Sequence, residues 1–451
     1  MIPIVTPAEM VAIDAAAREA VEVLIDRAGA AVARRALALV GGAYGRRVVV
    51  VAGKGNNGND GRVAAARLAA CGVQVRTFDA ENAPAVLPSC DLVIDAAYGT
   101  GLQRDYVAPR PAALITPVLA VDIASGIDGL TGVARGAPVR ATHTVTFAAV
   151  KPGLLLAPGR DACGTVEVAD IGLDVSRARA HLVEACDVTN WLAPRDTATH
   201  KWRAAVWVIA GSPGMTGAAR LAAGGAMRAG AGYVRLSVPG GHDPGAPTEV
   251  VQVSLSRALA VDAVEAARFG AVVVGPGLGR DPALAEALGR FVTALARPLV
   301  LDGDALTMLG THASELLSRR AHPTVLTPHD REFRDLAGDE PAADRFASVR
   351  SLAARCNAVV LLKGPTTIVA DPQGIVLVST TGDSRLATAG TGDVLAGIVG
   401  AFLARGVEPL RAAAGAAYVH GAAARLAPVE GMIASDLLVH LPTVLSAMRR
   451  S

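Results

Sequence analysis

The chain has 451 residues, of which 51% are apolar and only 3% aromatic, with a formal net charge of +2. That length suits two ordinary domains with separate cores, and the apolar fraction excludes wholesale disorder. The near-neutral charge and the few rings for stacking leave no nucleic-acid footprint, and no apolar run reaches the ~18 residues of a membrane span.

The start, Met-Ile-Pro-Ile-Val-Thr, lacks the basic segment and apolar core of a signal peptide. The five cysteines, Cys71, Cys90, Cys163, Cys186 and Cys356, are an odd, widely spaced set without a C-x-x-C pair. Neither a disulfide framework nor a zinc site is indicated, and a reducing cytoplasm is expected. Of 43 basic residues only four are lysine: Lys54, Lys151, Lys201 and Lys363. A compact ammonium fits inside a tight loop where a planar guanidinium does not, so these positions are candidates for chemistry, with chance composition as the alternative.

In chain order, residues 8–40 are Ala-rich and predict one or two helices broken near Gly29. Arg47–Val51 predicts a buried strand, followed by the loop Ala52-Gly53-Lys54-Gly55-Asn56-Asn57-Gly58-Asn59-Asp60-Gly61 and a helix through Ala70. Strand, Gly/Asn-rich loop and helix is the layout of a nucleotide-phosphate site in a Rossmann-like sheet, although the spacing is not G-x-G-x-x-G. A plain Asn-Gly turn is the alternative. Further strands are predicted at Val73–Phe78, Asp91–Asp95, Pro117–Ile123, Thr144–Ala149 and Thr165–Ala169. Asn57, Asp95, Asp122 and Ser125 lie at or just beyond strand C-ends, where an open parallel sheet has its ligand crevice, and their oxygens suit a hard cation.

The strand–helix rhythm lapses between Asp174 and Arg203, and a boundary near Asp196 divides the chain into residues 1–195 and 196–451. The second part opens with a strand at Ala204–Ala210 and the turn Gly211-Ser212-Pro213-Gly214-Met215-Thr216-Gly217-Ala218. Val272–Gly279 repeats that form before a helix from Pro282. Leu299–Leu301 ends in Asp302-Gly303-Asp304, and Thr324–Pro328 ends on His329. Ala358–Lys363 leads through Gly364-Pro365-Thr366-Thr367 into a hairpin closed by Asp371-Pro372-Gln373-Gly374.

The stretch Thr381–Gly397 then passes from small and polar residues into the apolar run of a buried helix, with Ala389-Gly390-Thr391-Gly392-Asp393 at the junction. Backbone amides and a helix N-terminus converging there bind anions. An acid placed where phosphate arrives has a use as a base on an attacking hydroxyl. The alternative for Asp393 is a helix cap.

Together these motifs resemble two families. From Ala204 onward, G-S-P-G-M-T-G-A-A, V-G-P-G-L-G, L-D-G-D-A-L, T-P-H-D-R-E-F, L-K-G-P-T-T and A-G-T-G-D-V-L-A-G resemble the ribokinase-like ADP/ATP-dependent NAD(P)H-hydrate dehydratases. Residues 6 to about 172 resemble NAD(P)H-hydrate epimerase domains through T-P-A-E-M, N-N-G-N-D-G, D-A-A-Y-G-T-G-L, V-D-I-A-S-G-I-D-G and V-A-D-I-G. The resemblance implies an α/β chain, with a Rossmann-like three-layer domain followed by a ribokinase-like domain. It implies repair of hydrated nicotinamide nucleotides: the first domain interconverts the R and S epimers of NADHX and NADPHX, and the second dehydrates the S form by phosphorylating the ring hydroxyl and expelling phosphate.

The same resemblance implies residue roles. Asn56, Asn57, Gly58, Asn59, Asp60, Gly99, Thr100, Gly101, Leu102, Gln103, Arg104, Asp105 and Asp122 would bind the hydrate in the first domain, with Asp122 catalytic. Asn57, Asp95 and Ser125 would ligate K+. In the second domain Ala218, Gly277, His329, Asp330, Arg331, Glu332 and Phe333 would line the hydrate pocket, and Asp393 would act as base. Lys363, Gly364, Pro365, Thr366 and Thr367, with Asp383, Ser384, Arg385, Leu386, Ala387, Thr388, Ala389, Gly390, Thr391 and Gly392, would hold ADP or ATP, with Mg2+. No nucleic-acid or membrane partner is implied, and a homo-oligomer is expected. The chain departs from the family at Asn59 and Ala389, where glycine is usual, and at Asp383-Ser384-Arg385, where Asn-Pro-Gly is usual. Arg385 is a candidate phosphate contact that compensates. The alternative is a ribokinase-like small-molecule kinase, for a pyrimidine or sugar, carrying a non-catalytic first domain.

Overall fold

The structure, a computed structural model, describes residues 1–194 and 198–450. The expected boundary at Asp196 lies outside the described residues. The chain forms two compact units, Ile2–Ala180 and His181–Ser451 with Met1.

In the first unit a six-stranded parallel sheet holds β1 (Arg47–Ala52), β2 (Gln74–Asp79), β3 (Leu92–Ala96), β4 (Val118–Val121), β5 (His143–Phe147) and β6 (Thr165–Ala169), in the order β2-β1-β3-β4-β5-β6. β1, β3 and β4 are apolar, as expected for parallel strands covered on both faces. The order reverses at β1, so the crevice opens beyond the C-ends of β1 and β3. The N-terminal helical region is two helices, α1 (Pro7–Ala15) and α2 (Val21–Val40), and the break falls before Val21, not at Gly29. Gly29 lies inside α2 because a Cβ there would come within 2.5 Å of Val63 on α3 (Asn56–Ala70). It permits the helices to touch and does not end one.

In the second unit the sheet is larger. Its strands are β7 (Ala205–Ile209), β8 (Tyr233–Ser237), β9 (Val251–Gln252), β10 (Ala271–Val274), β11 (Leu299–Leu301), β12 (Thr324–Leu326), β13 (Val359–Leu362), β14 (Thr367–Ala370) and β15 (Val376–Ser379), in the order β9-β8-β7-β10-β11-β12-β13-β14-β15. Pairing is parallel from β9 to β13, and β14 and β15 follow as an antiparallel hairpin. β8 was not legible as a strand because Arg235 interrupts its apolar run. The guanidinium lies 5.1 Å from the Trp207 ring and 4.7 Å from Phe269, and it pairs with Glu265, so the charge is buried against aromatic faces.

Helix α6 (Thr391–Ala404) is buried from Val394 to its end and crosses α4 (Thr216–Arg228). Glycines make the crossing possible: a Cβ on Gly397 would lie 2.0 Å from the Ala222 carbonyl oxygen, and one on Gly225 would lie 2.4 Å from that of Val394. Gly397→Ala is therefore expected to destabilise this unit by about 2 kcal/mol or more, read as a lower urea midpoint. Gly289→Ala, whose Cβ would meet only a Leu316 methyl at 3.7 Å, is expected instead to stabilise its helix by about 0.5–1 kcal/mol. Equal midpoints for the two variants would refute this account of the crossing.

Candidate active sites

The first site is a cavity of about 820 Å³ at the C-ends of β1, β3 and β4. Its lining includes Asn56, Asn57, Asp60, Gly99, Thr100, Gly101, Leu102, Gln103, Arg104 and Asp122, while Gly58, Asn59 and Asp105 lie off it. The expected loop Ala52–Gly61 is shorter than its sequence suggests: α3 begins at Asn56 with Gly55 as its N-cap, so Asn56 to Asp60 form its first turns. Gly53 and Gly58 allow this tight entry, since a Cβ on either would lie 1.9 Å from a carbonyl oxygen. Asn59 is helical, so the glycine usual at its position is not required there.

Asp95 and Ser125 are fully buried beneath the cavity and bonded to each other. The Ser125 amide donates to Asp95 at 2.8 Å, its hydroxyl donates to Asp95 at 2.7 Å, and the Tyr98 amide donates to the Ser125 hydroxyl at 2.9 Å. Burial pushes the Asp95 carboxyl up to about 6, against the pull of those bonds. Beside them Asn57 has both amide atoms buried without a hydrogen-bond partner.

Asp122 sits at φ +66, a left-handed conformation that is strained for a non-glycine residue. Its carboxylate is clamped: Lys151 donates to Asp122 Oδ1 at 2.6 Å and the Thr146 hydroxyl donates to the same oxygen at 2.9 Å. Lys151, only 1% exposed, also donates to Thr146 at 2.9 Å and to the Phe147 carbonyl at 3.0 Å. Asp14, on α1, lines the same cavity. The motif analysis missed Asp14 and Thr146; Lys151 was flagged only by the rarity of lysine.

The second site lies at the N-terminus of α6. Gly390, at φ +91, is the N-cap and makes no side-chain cap bond, and Asp393 stands in the first turn, so the capping alternative for Asp393 fails. Ala389 needs no glycine conformation because the left-handed turn falls on Gly390. Lys363, at the end of β13, donates to Asp302 at 2.8 Å and lies 3.5 Å from Glu332. A Cβ on Gly392 would be 3.3 Å from its ammonium nitrogen. Burial, then Asp302, push the Asp393 carboxyl up to about 7, with Lys363 opposing and Glu332 and Asp304 adding.

His329 caps the helix Asp330–Ala337: its Nδ1 accepts from the Arg331 and Glu332 amides at 3.2 and 3.3 Å. Phe333 is buried under that helix and Asp330 pairs with Arg345 at 2.5 Å. Ala218 lies in the first turn of α4, and Gly277, at φ +62, approaches it so closely that a Cβ would lie 2.9 Å from that of Ala218. Arg385 is turned onto Asp383 at 2.6 Å and the Ala427 carbonyl at 3.0 Å. His420, which no motif flagged, is buried on the helix Pro409–Leu426 and bonds the Thr391 carbonyl at 2.9 Å. Burial holds it down to about 4, so it is neutral and donates. Asp302 was legible only as one of two acids ending β11.

A family profile described as NAD(P)H-hydrate dehydratase matches residues 206–445, and one described as YjeF-related protein N-terminus matches residues 21–85 and 79–153. The bifunctional NAD(P)H-hydrate repair enzyme Nnr of Moorella thermoacetica is 36% identical over 465 residues, covering 89% of this chain and 87% of that protein. The enzyme of the same name from Mycobacterium leprae is 38% identical over 462 residues, covering 94% and 95%. Among solved structures, the ADP/ATP-dependent NAD(P)H-hydrate dehydratase of Bacillus subtilis, co-crystallised with ATP and Mg2+, superposes with a TM-score of 0.50 at 29% identity, over 59% of this chain and 97% of that one. A ribokinase-like superfamily protein of Enterococcus faecalis, 23% identical with a TM-score of 0.53 over 60% and 98%, shares the fold.

The Lys363 geometry predicts that Lys363→Arg weakens ADP binding about tenfold or more, although charge is kept. The wider guanidinium has no room between Asp302 and Gly392. Unchanged affinity by calorimetry, in a variant that melts like the parent, would refute this.

Proposed function

The chain belongs to the family of bifunctional NAD(P)H-hydrate repair enzymes, and on that premise we propose how its own residues divide the work. It joins an NAD(P)H-hydrate epimerase unit to an ADP/ATP-dependent NAD(P)H-hydrate dehydratase unit, with NADHX and NADPHX as substrates. What carries this function is that relatives of that name match both units over about nine tenths of the chain. A small-molecule kinase with an inert first unit is not favoured, since that unit keeps an acid-lined cavity around Asp122.

In the dehydratase unit Asp393 takes the proton of the ring hydroxyl. The hydroxyl oxygen attacks the terminal phosphorus of ADP or ATP, whose phosphates lie against the first amides of α6, and the P–O bond to the departing AMP or ADP breaks. The C6–O bond of the ester then breaks, its electron pair leaving with phosphate, while C5 gives its proton to water and the C5–H electron pair restores the double bond of NADH or NADPH. Lys363 sits beside Asp393 and tempers the acids around it. Asp302, Glu332 and Asp393 share one ammonium, a set with spare negative charge that fits Mg2+. Asp302 and Glu332 would hold it, and it would neutralise phosphate charge. His420 fixes the Thr391 carbonyl at the base of this turn.

In the epimerase unit Asp122 is the base on the ring hydroxyl. The unpartnered Asn57 amide, with Asp95 and Ser125, fits K+. These residues would hold the ion, which would anchor the loop from Tyr98. All five cysteines are free thiols, in keeping with a reducing cytoplasm, and no described helix is long and apolar enough to cross a membrane.

Two outcomes test this. Asp393→Asn should abolish nucleotide-dependent recovery of nicotinamide absorbance, roughly 100-fold or more, while ADP still binds. Because the base works ionised, kcat/KM of the parent should climb with pH and reach half its plateau near 7. A variant keeping a third of the rate, or a parent profile flat from pH 5.5 to 8.5, would remove Asp393 as the base. Asp122→Ala, given both epimers, should consume the S form at parental speed and then stall at a plateau. Completion at the parental rate would refute an epimerase built on Asp122.

A further inference from the structure

Six carboxyl groups line the epimerase cavity, Asp14, Glu19, Asp60, Asp79, Glu81 and Asp122, with one buried ammonium, Lys151. Lys151 spends its donors on Asp122 Oδ1, Thr146 and the Phe147 carbonyl. It is therefore a positioning residue that aims the Asp122 carboxylate. Asp60 differs in every respect. It is 7% exposed, faces the cavity from the second turn of α3, and among the described residues has no ammonium or hydroxyl bonded to it.

Epimerisation of the hydrate at C6 needs two proton-handling groups. If the ring opens, the hydroxyl loses its proton and the C6–O bond becomes a carbonyl. The C6–N1 bond breaks, and its electron pair stays on N1, which must be protonated. After rotation about C5–C6 the same transfers run backward onto the other face, so no oxidant, reductant or water is consumed. We propose that Asp60 is the second catalytic group of the epimerase, giving its proton to N1 while Asp122 takes that of the hydroxyl. The assignment rests on the epimerase function proposed above.

The charge arrangement agrees. Burial first, then the charges of Asp122 and Asp14, push Asp60 up to about 8, so it holds a proton at neutral pH. The charged groups acting on it are Asp14 on α1 and Asp122 after β4, with Lys151 bonded to Asp122; Glu19, Lys54, Asp79, Glu81 and Arg104 also line the cavity.

The test uses the full chain without nucleotide, following conversion of pure R-NADHX into the S form by chromatography against an enzyme-free blank. Asp60→Asn should lower the rate about 100-fold. The parent's kcat/KM should fall above pH about 8 as Asp60 loses its proton, and that fall should be absent from the residual activity of Asp60→Asn. Asp60→Glu, which keeps a carboxyl, should run at least tenfold faster than Asp60→Asn and retain the fall, which separates lost chemistry from lost folding. The proposal is overturned if Asp60→Asn keeps a third of the parental rate, if its profile still falls, or if Asp60→Glu is no faster than Asp60→Asn. A parent that does not interconvert the epimers at all would instead remove the epimerase function itself.

Discussion

A buried ammonium held against a carboxylate organises each half of this molecule. In the first unit it is Lys151 on Asp122 at 2.6 Å; in the second it is Lys363 on Asp302 at 2.8 Å. Taking such a pair out of water costs several kcal/mol per ion, and the attraction between them repays this only with good geometry and extra hydrogen bonds. Lys151 meets that condition with Thr146 and the Phe147 carbonyl. Neither pair is therefore a simple source of stability. Each sets the charge state of neighbouring acids, which is a chemical purpose. The preference for Arg elsewhere in the chain makes sense beside this: exposed pairs such as Arg67 with Asp26 ask only for charge, whereas these two niches admit only a compact head group.

The amides that would meet phosphate depend on a second constraint, the approach of backbone to backbone at strand ends. Gly53 and Gly58 bring the start of α3 against the end of β1, and Gly275, whose Cβ would lie 1.8 Å from the Asp302 carbonyl oxygen, brings β10 against the end of β11. Gly225 and Gly397 do the same for α4 and α6. A side chain at any of these would push a helix N-terminus away from the crevice. The glycines thus work on function through packing, and their loss costs both stability and aim.

Much of this was legible in the sequence. The strand–turn–helix entries at Val48–Asn57, Leu326–Asp330 and Thr381–Gly397 carry their own turn chemistry, so the parallel sheets and the placing of Asp393 followed from local pattern. What was hidden depends on tertiary partners. Gly29 read as a helix break because its purpose lies in Val63, far along the chain. Strand β8 was masked by Arg235, whose burial makes sense only with Trp207, Phe269 and Glu265 in place. Asn59 and Ala389 looked like losses of backbone freedom, yet Asn59 is helical and Gly390 takes the left-handed turn. Asp14 and His420 had no motif at all, since a lone acid on an Ala-rich helix and a lone histidine on another are invisible until the fold brings them to a site.

The two units handle carboxyl chemistry in opposite ways, and the difference follows from what each reaction demands. Phosphoryl transfer needs one base and a receptive anion site. For the base proposed above, a single acid, Asp393, stands in the first turn of α6, its carboxyl pushed up to about 7 by burial first, then by Asp302, Glu332 and Asp304, against Lys363. Epimerisation runs in both directions over the same atoms, so whatever gives a proton in one direction must take it in the other. A site with two differently held carboxyls suits that demand, and the cavity supplies the asymmetry by bonding Asp122 to Lys151 and leaving Asp60 buried with no such bond among the described residues. A carboxyl held by an ammonium beside a buried one without such a bond is the arrangement that the two roles of the proposed epimerisation ask for.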